Sequence, residues 1–348
     1  MSAPRPRVFF LLGAARSGTT LLTRLLSAHP RIHLHHERRV LELAGVAGAL
    51  LRTGGHEVDP HPAEADLARD LAYGRRYAEA VLQAGAPPGT VWFGDKYPPY
   101  STQVSTLAAV WPEARFIHIV RDGRGVVGSW LHTWPRDHAW RRAARVPSVE
   151  KIGAAWARSV NQAHDAGVQL GPDRYHAFRY DDLLADPSRT GRRWLELLEE
   201  DNHPAFDAAL AQVSRRGDWR RDLSEAETTA IESVPSVRST LGAWGWRLEG
   251  RPGAPVDRAE DWVTRAESAS DEDAARRAWL RVLRLEPGHP GAVSWLMRTQ
   301  PLRGESLFAL MNLKPGLSPD HRRLERELLE ARGLSSAAAS AVVGMDAG

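Results

Sequence analysis

The sequence predicts an α/β protein: a parallel sheet of the phosphate-loop kind, flanked by helices and followed by a helical C-terminal extension. Three observations predict it. Strand-like apolar runs alternate with amphipathic helical stretches up to about residue 200, the pattern of a parallel sheet covered on both faces. The first such run, Val8–Leu12, stops at Gly13 and gives way to a small polar loop and then a helix. From about residue 257 the patterning is helical only.

The elements follow in order. Val8–Leu12 reads as a buried strand, and Thr20–Ala28 as a helix with Leu21, Leu22, Leu25 and Leu26 on one side, ending before His29-Pro30. Glu37–Leu51 and Glu64–Ala84 read as helices, broken by Thr53-Gly54-Gly55 and Gly85. Val91–Gly94 is a short strand, with Asp95-Lys96 placed in the loop after it. Ser101–Val110 is a helix and Arg115–Val120 a strand; the turn Asp122–Gly125 opens a helix through Trp130. Ser148–Leu170 is helical with Ser148 as N-cap, Tyr175–Arg179 is a strand, and Asp182–Leu184 starts the next helix. Residues 214–255 are rich in Arg, Trp and Gly and show little periodicity. The helical region carries two similar segments, Val282–Gly288 and Leu310–Gly316, and Asp273–Gly288 resembles the second helix of a tetratricopeptide unit. The domain expectation is therefore 1–255 for the sheet domain, 256–334 for the helical extension and 335–348 for a mobile tail.

Composition limits the function classes. The chain has 348 residues, 43% of them hydrophobic, enough for a substantial core. A formal net charge of +3 weighs against nucleic-acid binding by bulk charge. With no cysteine, disulfides, thiolate metal sites and a cysteine nucleophile are excluded. The apolar run Val8–Ala15 is too short for a membrane span and lacks a secretory pattern, so a soluble cytoplasmic protein is expected. The 13 tryptophans, Trp130, Trp134, Trp140, Trp244 and Trp246 among them, suit core packing or an acceptor pocket.

The loop itself points to phosphate. Gly13 and Gly18 have the spacing of a phosphate loop, whose backbone N–H groups and following helix N-terminus attract an anion. The lysine that would reach β- and γ-phosphates is absent, because Gly18 is followed by Thr19-Thr20. A cation stands earlier instead, at Arg16.

Arg16-Ser17-Gly18-Thr19-Thr20-Leu21, then Ala28-His29-Pro30, then Glu37-Arg38-Arg39 resembles the nucleotide-binding entry of sulfotransferases that use 3′-phosphoadenosine-5′-phosphosulfate (PAPS), nearest in pattern to the protein-tyrosine sulfotransferase type. Val120-Arg121-Asp122-Gly123-Arg124 with Ser129, the Gly94–Pro98 segment bearing Lys96, and Tyr180-Asp181-Asp182-Leu183 are similar to three further motifs of that family. The resemblance covers about residues 6 to 200.

The resemblance implies a sulfuryl transfer from PAPS to a hydroxyl or amine, leaving the bisphosphate PAP, with no metal required. The 5′ side is expected on Ala15, Arg16, Ser17, Gly18, Thr19 and Thr20, and the 3′-phosphate on Arg121 and Ser129. Arg offers a planar fork to phosphate oxygens and Ser a hydroxyl. Tyr180 is expected near the nucleotide, and Ser239, in Val237-Arg238-Ser239-Thr240, in a loop over it. Arg16, Thr19, Thr20 and Lys96 are expected to neutralise the leaving oxygen, and Glu37, twenty-one residues after Arg16, to act as base.

Alternatives stand beside these roles. Glu37 also suits a helix first turn, His33, His35 and His36 are rival bases, and Arg121 suits an ion pair with Asp122 or Asp181. The family has an arginine four residues after the serine; here Thr133 stands there, and Arg124 or Arg136 would compensate. The rival function classes are a phosphate-loop nucleotide kinase and a non-catalytic nucleotide-binding protein. The expected partners are a small-molecule or peptide acceptor, no nucleic acid, and a protein partner or second copy at the C-terminal helices.

Overall fold

The computed structural model describes residues 6–45, 64–133, 148–214, 217–251, 257–286 and 289–299. Arg136, Trp134, Trp140, the second Pro-Gly segment at 310–316 and the tail 335–348 lie outside the described residues.

Five parallel strands form one sheet in the order β2-β3-β1-β4-β5: β1 Arg7–Leu12, β2 Ile32–His36, β3 Trp92–Lys96, β4 Arg115–Val120 and β5 Tyr175–Arg179. Alternation of side chains sends β1 into two cores. Phe9 and Leu11 join Leu22, Leu25, Ile117, Trp194 and Phe206 on one face. Val8, Phe10 and Leu12 join Tyr100, Leu107, Trp111 and Phe116 on the other. Each fully buried leucine or phenylalanine contributes about 1.5–3 kcal/mol, so the centre of the sheet is its most stable part. The covering helices include α1 Thr19–Leu26, α3 Glu64–Gln83, α4 Val104–Val110, α6 Val149–Val168, α8 Pro187–Leu198 and α9 Pro204–Leu210, with residues 40–45 forming α2.

The expected strands at β1, β4 and β5 are present. Five readings change. Ile32–His36 is a strand, β2, paired with β3 from Ile32↔Trp92 to His36↔Lys96. Asp95 and Lys96 belong to β3 rather than to a loop, and both are buried. Residues 101–110 are not one helix: a 3-10 turn, Pro98–Thr102, precedes α4. Glu37 precedes α2 by three residues, so it is not in a first helical turn. The stretch 214–255 contains short helices, α10 Trp219–Asp222, α11 Glu225–Ser233 and α12 Pro235–Ala243, and Ser239 lies within α12 rather than in a loop.

The chain divides into two compact units. The first, Met1–Val126, Gly153–Gly217 and Glu232–Leu248, contains the sheet. The second, Val127–Ile152, Asp218–Ile231 and Glu249–Gly348, includes α13 Ala259–Glu267, α14 Glu272–Leu285 and α15 Pro290–Thr299. Within it Trp262 lies between Arg265 and Arg281, with guanidinium carbons 4.4 and 4.0 Å from its ring, and Arg281 pairs with Glu227 at 2.7 Å. Among the described residues no helix is long and apolar enough to cross a membrane.

Candidate active site

In open α/β sheets ligands sit at the carboxyl ends of the strands, where neighbouring connections diverge. Here β1 leads towards β2 on one side and β4 leads to β5 on the other, so the divergence falls between β1 and β4. The loop after β1 occupies that point. At Gly13 a Cβ would lie 2.8 Å from methyl groups of Ile119 and Thr19, which reserves the position for glycine. The Gly13 N–H donates to the buried Ser101 hydroxyl at 3.0 Å, and the Ser17 N–H to the Ala14 carbonyl at 3.1 Å. Gly18, at φ 98°, N-caps α1 with no side-chain cap. The first-turn amides of α1 have no intrahelical acceptor, and no acidic residue occupies that turn. Among the described residues the buried Ser17 hydroxyl has no hydrogen-bond partner, a polar atom left for something that enters the loop.

Arg121, just past the end of β4, meets this loop. Its Nη1 donates to the Arg16 carbonyl at 3.0 Å, and its guanidinium carbon lies 5.1 Å from the centre of the Tyr180 ring. Tyr180 in turn closes on Gly18, where a Cβ would come within 3.0 Å of its ring. Arg121, Tyr180 and the loop are therefore brought together. Burial holds the Arg121 pKa below the ordinary guanidinium value; Tyr180, Asp122 and Asp181 oppose that, and the charge of Arg16 adds to it. Two guanidinium groups that repel each other beside an amide-rich loop attract an anion.

The ion-pair alternative for Arg121 is not realised with Asp122, whose two oxygens accept from Arg124 at 3.0 and 2.7 Å. Arg124 also donates to Glu232 at 2.7 Å and to the Arg247 carbonyl at 2.9 Å. It is buried in the protein's own network, so it does not stand in for the arginine absent at Thr133. Ser129 is half-buried on α5, Gly123–Thr133, and Ser239 is on the exposed side of α12. Trp244 and Trp246 are half-buried: the first lies against His118 and His164, and the second donates its indole N–H to Asp181 at 2.9 Å.

A second cluster forms where β2 and β3 end. Lys96, 2% exposed, directs its ammonium to Glu37 Oε1 at 2.9 Å and to His36 Nε2 at 2.8 Å. An ammonium only donates, so His36 Nε2 is the acceptor and its proton sits on Nδ1. His35 is turned away and meets the Leu82 carbonyl through Nε2 at 2.9 Å. His33 packs edge-on against His35 at 4.5 Å, and burial, then His35 and Arg38, lowers its pKa. Of the three rival histidines, His36 alone joins Lys96 and Glu37. Two contributors were not visible in the sequence: Ser101, which holds Gly13, and Asp95, which accepts the N–H groups of Arg38 and Arg39. Only the position of Asp95 beside Lys96 hinted at the second.

A strand–loop–helix anion site at the carboxyl edge of a parallel sheet defines the phosphate-loop class of α/β proteins. The chain belongs to the sulfotransferase family, whose model matches residues 6–204. It is 26% identical over 243 residues to protein-tyrosine sulfotransferase 1 of Danio rerio, a match covering 68% of this chain and 65% of that one. It is 30% identical over 154 residues to the omega-hydroxy-beta-dihydromenaquinone-9 sulfotransferase Stf3 of Mycobacterium bovis, covering 43% and 38%. The chain thus spans less than two thirds of either relative. Sulfotransferase STF9 from Mycobacterium avium aligns with 72% of this chain and 79% of its own at 20% identity and a TM-score of 0.46.

Proposed function

We propose that this chain is a PAPS-dependent sulfotransferase acting on a hydroxyl or amine of a small molecule or peptide, with Glu37 as general base. The observation that carries the reading is the meeting of loop, Arg121 and Tyr180 between β1 and β4, with Lys96 and Glu37 at the same edge of the sheet. The residues fit the donor. The partnerless Ser17 hydroxyl, the uncapped first turn of α1 and Arg16 suit the 5′ side, and Arg121 suits the 3′-phosphate. Tyr180 supplies a wall, and Ser239, on the exposed side of α12, an outer contact. Bound there, PAPS supplies a sulfuryl group on a phosphate oxygen, and that oxygen departs with PAP.

The residues of the chain divide the remaining work. The Thr19 and Thr20 amides, Arg16 and Lys96 present fixed donors to charge that grows on the leaving side. Lys96 takes Glu37 Oε1, so Oε2 is the oxygen to receive the acceptor's proton. Burial of Lys96 between Glu37 and His36 holds its ammonium in one place, and no reorganisation is needed during transfer.

Replacing Glu37 with Gln tests the role of the base. Turnover, followed as PAP release with a panel of hydroxylated acceptors, is expected to fall by about 10²–10⁴. PAP affinity, measured by calorimetry, stays unchanged. Undiminished turnover would move the base to His36 on the same lysine.

A further inference from the structure

Asp95 is fully buried at the end of β3 and does not line the site. Its oxygens are nonetheless directed at the turn that follows Glu37. Oδ1 accepts the Arg38 N–H at 3.0 Å, and Oδ2 accepts the Arg39 N–H at 2.9 Å and the Tyr100 O–H at 2.7 Å. That turn is unusual. Glu37 has φ 61° and Arg39 φ 57°, so two residues with side chains adopt left-handed backbone within three positions. Such residues stay there only when the surroundings over-determine them. The Glu37 N–H is held by the Lys96 carbonyl at 2.8 Å, and the next two N–H groups are held by Asp95. Adjacent residues of β3 therefore fix the turn and contact the carboxylate it presents.

A buried carboxylate is retained only where donors satisfy it. The three donors here are two consecutive amides and one hydroxyl, and the amides are those that set where the Glu37 side chain leaves the backbone. Burial, then the Asp95 charge, raises the Tyr100 pKa, which keeps its hydroxyl a donor.

We propose that Asp95 is a positioning residue for the transfer reaction: it fastens the left-handed turn that delivers the Glu37 carboxylate to Lys96. The proposal rests on Glu37 being the base. It assigns Asp95 no contact with donor or acceptor.

The test uses the full chain and four variants: Asp95→Asn, Tyr100→Phe, Glu37→Gln and the Asp95→Asn/Glu37→Gln double variant. Asparagine sets an NH₂ against a backbone N–H, so Asp95→Asn loosens the clamp, whereas Tyr100→Phe leaves both amide bonds in place. The expected result for Asp95→Asn is a kcat loss of about 10²-fold with PAP affinity held within about twofold. In the Glu37→Gln background the same change costs less than about threefold, because its effect passes through Glu37. Tyr100→Phe lowers Tm and leaves kcat within about threefold. Equal losses in both backgrounds, a matching collapse of PAP affinity, or a kcat unmoved by Asp95→Asn each overturn the proposal. Retained turnover in Glu37→Gln alone overturns the base assignment instead. If Asp95→Asn does not fold, amide hydrogen exchange in the unmutated protein decides. Arg38 and Arg39 N–H groups protected like those of β3 support the clamp, and exchange at open-loop rates refutes it.

Discussion

Arg16, Glu37 and Arg39 are three of the four non-glycine residues with positive φ among the described residues, and all lie in the two turns of the candidate site. The fourth, Glu199, is the C-cap of α8, an ordinary place for left-handed backbone. Strain is thus concentrated where the loop after β1 and the turn after β2 present charged side chains. Gly18 shows the same demand from the other direction. It needs φ 98°, and a Cβ there would meet the Tyr180 ring. Gly18→Ala is expected to lower stability by about 1–3 kcal/mol, measured by urea unfolding, and to abolish the PAP response as well. Gly85, at φ 76° with open space around it, is the control. Gly85→Ala should lower stability without touching nucleotide binding, and equal binding loss in both variants would contradict the close approach of Tyr180.

Elements were legible to different degrees, for physical reasons. Val8–Leu12 and Arg115–Val120 could be read because a central strand buried on both faces is a short apolar run, and Tyr175–Arg179, at the edge of the sheet, because it carries the buried aromatic strand formers Tyr175 and Phe178. Ile32–His36 escaped because three of its five residues are histidine, and only His36 is exposed; hydropathy cannot show that His35 is satisfied by a carbonyl of α3. Asp95 and Lys96 looked like loop because two charges rarely end a buried strand. Here amides, a hydroxyl, a carboxylate and an imidazole satisfy them one by one. Helices α10 to α12 were hidden by their length and by interspersed Trp and Arg, although Pro235 at the start of α12 is a standard opening residue. The strand–loop–helix order of the loop after β1 was readable because it is local, whereas its anchor Ser101, distant in sequence, was not. The partnership of Lys96 with His36 was not, because it depends on the register of β2 against β3.

At the scale of the whole molecule, folding brings into contact groups that lie far apart in sequence. His118 is one case. It is fully buried on β4, bonded to the Tyr175 hydroxyl at 2.7 Å, and burial with the neighbouring His164 holds its pKa down to about 3. Below its unfolded value of 6.5 the unfolded chain takes up a proton that the native chain refuses. The contribution is complete above 6.5 and is lost as pH falls towards 3, at up to about 1.4 kcal/mol per pH unit. His118→Gln should therefore flatten the acid limb of a stability profile measured by urea unfolding; an unaltered slope would contradict the assignment. The proposed nucleotide site is the larger case, since its loop, Arg121 and Tyr180 follow three different strands. Its direct measurement is the thermal shift given by adenosine 3′,5′-bisphosphate and by ATP with Mg²⁺, on the parent chain and on Arg121→Ala. A ligand at 100 times its Kd stabilises by about 2.7 kcal/mol. The bisphosphate should raise the Tm of the parent strongly and that of Arg121→Ala far less. A response to ATP with Mg²⁺ alone, or a bisphosphate shift that Arg121→Ala leaves intact, would contradict the account.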